Sequence, residues 1–209
     1  IFFTINSRYT ENINKSKKIN YNKKMHQAYL SLGSNLGDRE SNLKMSIKRL
    51  SAYPLLPNVF DDQPRGSEVI PDDRALIKIE KISSIYESSP IGDIPQGKYL
   101  NIALKISTLL APIELLQIFK AIELDFGRDL SERQKPRAID IDIIFFDLLN
   151  FKDKNLQIPH PRSHLRAFVL MPLIELDSNL IHPTLNKPLL EILSGLEDQD
   201  IVKLDAINY

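Results

Sequence analysis

The residues best suited to chemistry lie in one stretch, Arg137-Ala138-Ile139-Asp140-Ile141-Asp142-Ile143-Ile144-Phe145-Phe146. Its isoleucines and phenylalanines are those of a strand, in which aspartate is a poor former. Side chains two residues apart on a strand share a face, about 6.6–6.8 Å apart along the chain. Asp140 and Asp142 therefore point the same way, and Ile139, Ile141, Ile143 and Phe145 point into a core. Two ionised carboxylates about 5 Å apart repel by about 3 kcal/mol at an effective dielectric of about 20. Hard divalent cations between them remove that cost, and magnesium favours one or two carboxylates plus substrate phosphates. Spacing alone equally allows two solvated aspartates on an exposed strand face.

The neighbours bear on that choice. Arg128, Arg133, Lys135 and Arg137 crowd the approach to the pair, and His160 and Arg166 follow it in Pro159-His160-Pro161-Arg162-Ser163-His164-Leu165-Arg166. Acids that bind metal, set beside cations, are what a triphosphate requires: the metal bridges phosphate oxygens while Arg or Lys takes the developing charge. Taken singly, the basic residues also fit a solvated loop paired with Asp125, Asp129 and Glu132. His160 alone fits a turn residue between prolines. Taken together, they favour a polyphosphate site.

The elements that must position these groups can be read on either side. Gln27 to Leu32 has the pattern of a strand, Gly33-Ser34-Asn35-Leu36-Gly37-Asp38 that of a turn, and Asp38 that of a helix cap. Leu43, Ile47 and Leu50 recur at helical spacing, and Pro54 ends that helix. Residues 53–74 hold Pro54, Pro57, Pro64 and Pro71 with two Asp-Asp pairs, the composition of a loop insertion. Leu76 to Tyr86 reads as a second strand and 87–98 as a long connection. In a third strand Leu100, Ile102, Leu104 and Ile106 alternate with Tyr99, Asn101 and Lys105, leaving one face for polar work. Pro112 suits the first turn of a second helix and Gly127 its C-terminal end.

Ala138 to Phe146 completes the order β-α-β-β-α-β. That order predicts an α+β domain with a ferredoxin-like sheet and its helices on one face. A C-terminal extension follows, with a short strand near Leu156–Ile158, a helix from about Leu165 to Leu176 and a closing helix over Pro188–Leu193.

Bulk properties exclude other classes. The 209 residues suffice for one domain, and 43% hydrophobic with 26% charged residues is the balance of a globular protein. Lys+Arg and Asp+Glu both number 27, so there is no general basic field for nucleic acid. No apolar run suits a membrane span. Cysteine is absent, which removes disulfides and thiolate chemistry and fits a cytoplasmic location. Residues 1–24 carry six basic residues against one acidic and precede Met25, the pattern of a flexible lead-in or linker before a domain over 25–209.

The motifs resemble a known family. Leu30-Ser31-Leu32-Gly33-Ser34-Asn35-Leu36-Gly37-Asp38, Tyr99-Leu100-Asn101, Ile122-Glu123, Gly127-Arg128, Pro136-Arg137-x-x-Asp140-Ile141-Asp142 and Pro159-His160 occur in the order seen in 6-hydroxymethyl-7,8-dihydropterin pyrophosphokinases of folate biosynthesis. The likeness spans about 26–195, and its specific part is the Pro-Arg-x-x-Asp-x-Asp stretch. It implies transfer of diphosphate from ATP to a hydroxymethyl-dihydropterin, with Asp140 and Asp142 holding two magnesium ions. By the same likeness Arg128, Arg133 and Arg137 would grip the triphosphate, Glu123 would stand near the nucleotide, and His160 and Arg166 would reach the phosphates from the other side. The pterin would lie between Tyr99 and Phe168, with Asn101 reading its amide edge and Ser88, Pro90 and Ile91 in contact. Gln134-Lys135 stands where members often carry Trp-Gly, and Ser88-Ser89-Pro90 where a Thr-Pro-Pro type is frequent.

A monomer and a fusion to another folate-pathway enzyme both fit. Two rival readings use the same element order. An RNA-recognition module would stack bases on strand aromatics, but the Lys/Arg-Gly-Phe/Tyr pattern is missing. A metal-dependent nucleotidyltransferase would use the same aspartates and release pyrophosphate instead of AMP.

Overall fold

Strand β1 (His26–Ser34) lies inside the sheet that carries the site, with one antiparallel neighbour on each side. The computed structural model describes residues 25–52, 76–92, 95–127 and 136–209. The expected lead-in 1–24, the insertion 53–74, and Arg128, Arg133, Gln134 and Lys135 lie outside the described residues.

Helix α1 (Arg39–Ser51) starts where expected, because the Asp38 carboxylate accepts from the Ser41 N–H at 3.0 Å. Leu43, Ile47 and Leu50 face inward and are fully buried. The expected second strand is two strands, β2 (Ile77–Ile82) and β3 (Ser84–Ser88), both paired with β4 (Tyr99–Thr108). They meet at Ser83, whose hydroxyl accepts from the Ala103 N–H at 2.9 Å. Glu87 and Ser88, expected in the connection, therefore belong to β3.

Helix α2 (Pro112–Asp125) carries Pro112 in its first turn and gives way to Gly127, whose φ of 82° is the left-handed conformation of a helix end. β5 (Asp140–Phe146) then lies beside β1. The extension adds a small hairpin, β6 (Phe151–Lys152) with β7 (Gln157–Ile158), a 3-10 turn (Ser163–Leu165), α3 (Ala167–Leu176), α4 (Leu189–Ser194) and β8 (Ile201–Ala206). The large sheet runs β5-β1-β4-β3-β8 with every neighbouring pair antiparallel.

Two hydrophobic clusters flank this sheet: the two helices of the β-α-β-β-α-β order share one face, and the helices of the C-terminal extension cover the other. α1 and α2 pack Ile47, Leu50, Leu115 and Phe119 on one side, against Leu30, Leu32, Ile102, Leu104 and Ile141. α3 and α4 pack Val169, Leu170, Leu173 and Leu189 on the other, against Tyr29, Ala103, Ile144 and Phe145. The second face of β4 is therefore covered instead of free, and Asn101 and Ala103 are buried there.

Phe145 is a second correction. Tyr29 pairs with Phe145 and Leu30 with Ile143, so Ile144 is an extra residue in β5. Such a bulge breaks the two-residue alternation and turns the following side chain to the other face. Phe145 accordingly joins the α3 layer while Ile139, Ile141 and Ile143 stay with α1 and α2.

Candidate active site

The register of the sheet builds the site. Asp140 lies opposite Gly33 on β1, Gly33 opposite Asn101 on β4, and Asn101 opposite Tyr86 on β3. Directly opposed residues share a face, and strands are about 4.8 Å apart. One row thus sets the Asp140 carboxylate and the Asn101 amide about 10 Å apart across a glycine. A Cβ on Gly33 would meet Asn101 Oδ1 at 3.3 Å and Tyr99 Cδ1 at 3.8 Å, so a side chain there would press on the Asn101 amide, which would have to shift by a few tenths of an ångström. A second row pairs Asp142 with Ser31.

Cations surround the carboxylates. Arg137 bonds Asp140 at 3.0 Å, and His160 Nε2 stands 3.9 Å from Asp142 Oδ2. Burial and the Asp140 charge push the Asp142 carboxyl up to about 6, although Lys120, Arg166 and Arg137 pull it down. Burial, then Arg166 and Arg162, hold His160 down at about 4, so its imidazole is neutral near pH 7. Burial and Arg162 also lower the Arg166 guanidinium, which Asp142 and Asp140 partly support.

Glu123 is fully buried behind the pair. Its carboxylate accepts from the Ile141 N–H at 2.9 Å and from Lys120 Nζ at 2.8 and 3.0 Å. Among the described residues β5 is the last strand of the sheet and its outward N–H groups face no further strand, and Glu123 supplies an acceptor between the two aspartates. Burial raises the Glu123 carboxyl, Lys120 opposes that, and Asp140 adds to it.

Asn35 sets the approach to the pair. Its Oδ1 accepts from the Arg137 N–H at 2.8 Å, its own N–H donates to the Arg137 carbonyl at 3.2 Å, and its Nδ2 donates to Gln96 at 3.0 Å. Gln96 Oε1 also accepts from the Tyr99 hydroxyl at 3.1 Å. Gly33 and Ser34, expected in the turn, belong to β1, and Asn35 just beyond the strand is a clasp that reaches Arg137 directly and Tyr99 through Gln96.

The residues expected at the ring of a substrate divide into two groups. Ser88, Pro90, Ile91 and Phe168 line a cleft of about 140 Å³, together with Gln199 and Asp200. Tyr99 and Asn101 lie beside this cleft, nearer Gly33. Asn101 connects the two, because its Nδ2 donates to Ser88 Oγ at 3.0 Å and to the Tyr86 carbonyl at 3.2 Å. Arg166 stands over the Phe168 ring at 5.6 Å, which joins the cleft to the acidic pair.

Of the expected residues, Arg137, Asp140, Asp142, His160, Arg166 and Glu123 converge, while Arg128 and Arg133 lie outside the described residues. Lys120, Gln96 and Gln199 were not among the expected site residues. Lys120 had a local signal, its i,i+3 relation to Glu123 on a helix. Gln199 had none, because both its partners are distant in sequence, and Gln96, although it bonds Tyr99 three residues on, lies in an irregular segment where that spacing carries no signal.

Comparison with known proteins shows the family. The family profile described as 7,8-dihydro-6-hydroxymethylpterin-pyrophosphokinase (HPPK) matches residues 29–178. The bifunctional protein FolKE of Lactococcus lactis is 36% identical over 181 residues, covering 86% of this chain and 46% of that protein. The chain thus spans about half the length of that curated relative. The 2-amino-4-hydroxy-6-hydroxymethyldihydropteridine pyrophosphokinase of Aquifex aeolicus is 38% identical over 167 residues, covering 80% of this chain and 90% of its relative. In fold, the chain is similar to a crystal structure of wild-type Plasmodium falciparum HPPK-DHPS with pteroate, with TM-score 0.58, 16% identity, 84% of this chain covered and 43% of that one. The matched segment runs from Tyr29 of the central strand to the end of α3 and contains the acidic pair with its buried support, so the chain belongs to the 7,8-dihydro-6-hydroxymethylpterin-pyrophosphokinase family.

Proposed function

We propose that the protein transfers the terminal diphosphate of ATP to the hydroxymethyl group of 6-hydroxymethyl-7,8-dihydropterin and releases AMP. The observation that carries this reading is the row Asp140, Gly33, Asn101, which joins an acidic, cation-flanked end to an amide-bearing end beside an apolar cleft. A flat heterocycle with amide edges suits the second end, and a polyphosphate suits the first.

Asp140 and Asp142 would hold two magnesium ions, which would supply charge neutralisation to a polyphosphate. The donor set fits: both are hard oxygen ligands, and Asp142 is held up to about 6 by burial and its neighbour, a cost that a cation relieves. Arg137 and Arg166 face the same carboxylates and are placed to take charge from the phosphates. Arg128 and Arg133 extend that role in the proposal. Neutral His160 would donate a hydrogen bond and carry no charge.

In the reaction the substrate hydroxyl oxygen forms a bond to the β-phosphorus, the bridge to the α-phosphate breaks, AMP leaves and the hydroxyl proton passes to solvent. Alignment and charge neutralisation account for such a step, and no residue is assigned as a general base. Tyr99 and Phe168 would enclose the ring, and Asn101, Ser88, Pro90 and Ile91 would contact its edges.

The neighbour order of β5, β1, β4 and β3 supports the ferredoxin-like reading of the fold. A longer protein with a second enzyme fits the bifunctional naming of the Lactococcus lactis relative. A cytoplasmic location belongs to the same proposal; no helix among the described residues is long and apolar enough to cross a membrane.

The test is incubation of the chain with ATP, magnesium and the hydroxymethyl-dihydropterin. AMP should form only with the pterin present and stop on chelation of magnesium. Release of pyrophosphate in place of AMP would move the assignment to a nucleotidyltransferase, and no reaction would remove it.

A further inference from the structure

The C-terminal extension beyond the matched segment reaches the cleft through Gln199, Asp200 and Ile201, and of these Gln199 bonds the opposite wall. Its Oε1 accepts from the Ala167 N–H at 3.0 Å, and its Nε2 donates to the Leu165 carbonyl at 3.1 Å. Those two backbone groups flank Arg166. α3 begins at Ala167, and Arg166 at its N-cap makes no capping bond with its own side chain. The first N–H groups of a helix have no partner within it. Gln199 therefore caps α3 from a distant part of the chain, at the turn that presents Arg166 and Phe168.

The segment bearing Gln199 is itself held to the opposite wall of the cleft. Ser89 N–H donates to the Asp200 carbonyl at 3.2 Å, the Ser89 hydroxyl donates to the Asp200 carboxylate, and Ile201 pairs with Ser88 in the sheet. One side chain thus ties the α3 wall to the β3 wall.

We propose that Gln199 is a positioning residue for the ring substrate: its amide clamps the backbone on both sides of Arg166 and fixes the distance of Phe168 from Ser88, Pro90 and Ile91. The inference rests on the pterin reading given under Proposed function. An aromatic wall displaced by a fraction of an ångström weakens stacking and misaligns the hydroxymethyl group, while the acidic pair, held by β5, keeps its place.

The full chain carrying Gln199→Ala is compared with wild type and with Gln199→Glu, which keeps the acceptor for Ala167 N–H and loses the donor. Loss of both bonds should raise the KM for the pterin about tenfold at saturating ATP, and Gln199→Glu should recover part of that loss. Hydrogen exchange of the Ala167 amide should be faster in Gln199→Ala and near wild type in Gln199→Glu. A merely structural role would lower Tm or the active fraction and leave KM unmoved, and that result overturns the proposal. Unchanged exchange at Ala167 in both variants overturns the clamp itself. If wild type forms no AMP with the pterin, the substrate reading fails and the ring-positioning role with it, while the exchange data still decide whether Gln199 holds α3.

Discussion

Replacing Glu123 by alanine removes the acceptor that holds β5 between its two aspartates, and the structure allows the cost to be worked out. The Ile141 N–H, bonded to the carboxylate at 2.9 Å, becomes a buried donor without that acceptor, a loss of about 1–3 kcal/mol. Deleting the fully buried side chain leaves a void that adds about 1–2 kcal/mol. The Lys120 partner is 30% exposed and can turn to water, so its ion pair contributes at most about 1 kcal/mol. Relief of burying the carboxylate offsets part of this, as its raised pKa indicates. The net expectation for Glu123→Ala is about 2–4 kcal/mol. Glu123→Gln retains a carbonyl oxygen for Ile141 and should cost about 1 kcal/mol.

Urea unfolding at pH 7.5 with a shared slope separates the two variants. The sign of the pH effect is a second check. Because the folded-state value is above 4.5, the folded protein binds the extra proton, and the Glu123 contribution to stability falls as pH rises from about 4.5 through the raised value. Glu123→Gln should remove that contribution and leave the one of the same sign from Asp142. If Glu123→Ala costs no more than Glu123→Gln, the carboxylate is not what anchors the strand, and the reasoning fails.

Asp140→Asn and Asp142→Asn should each lower pterin-dependent AMP formation by at least about 100-fold while Tm stays within a few degrees, since both side chains are partly exposed. Gly33→Ala should cost about 1 kcal/mol and raise the KM for the pterin several-fold, because its methyl group meets Asn101 Oδ1 at 3.3 Å; wild-type kinetics would refute the crowding. Buried His182 accepts from the Thr184 and Leu185 N–H groups at 3.3 Å each, and burial, then His164, lowers its pKa below 6.5. The unfolded chain binds that proton first, so the His182 contribution to stability falls as pH drops below about 6.5, and His182→Asn should remove this contribution, read as the wild-type minus variant difference across pH in urea titrations, while that of His160 stays.

Much of the site was legible because its signals are local. A two-residue repeat places Asp140 and Asp142 on one face whatever surrounds them, and a helix cap at Asp38 or an end at Gly127 depends on a few adjacent residues. The order of strands and helices also followed from short-range periodicity. Phe145 was misassigned because one bulged residue, Ile144, resets that periodicity, and a bulge is decided by the partner strand.

Spacing along the chain thus put Asp140 and Asp142 on one face, with Arg137 beside them, and marked most of the elements that carry them, while their use for metal and phosphate came with the family resemblance. Tertiary structure decided which distant groups complete them: the clasp of Asn35 on Arg137, the hold of Glu123 on Ile141, the α3 layer over the second face, and Gln199 at the start of α3. The physical reason is that a hydrogen bond or a packed face between residues far apart in the chain leaves no trace in the spacing of either one. It exists only once the sheet register brings both to the same place.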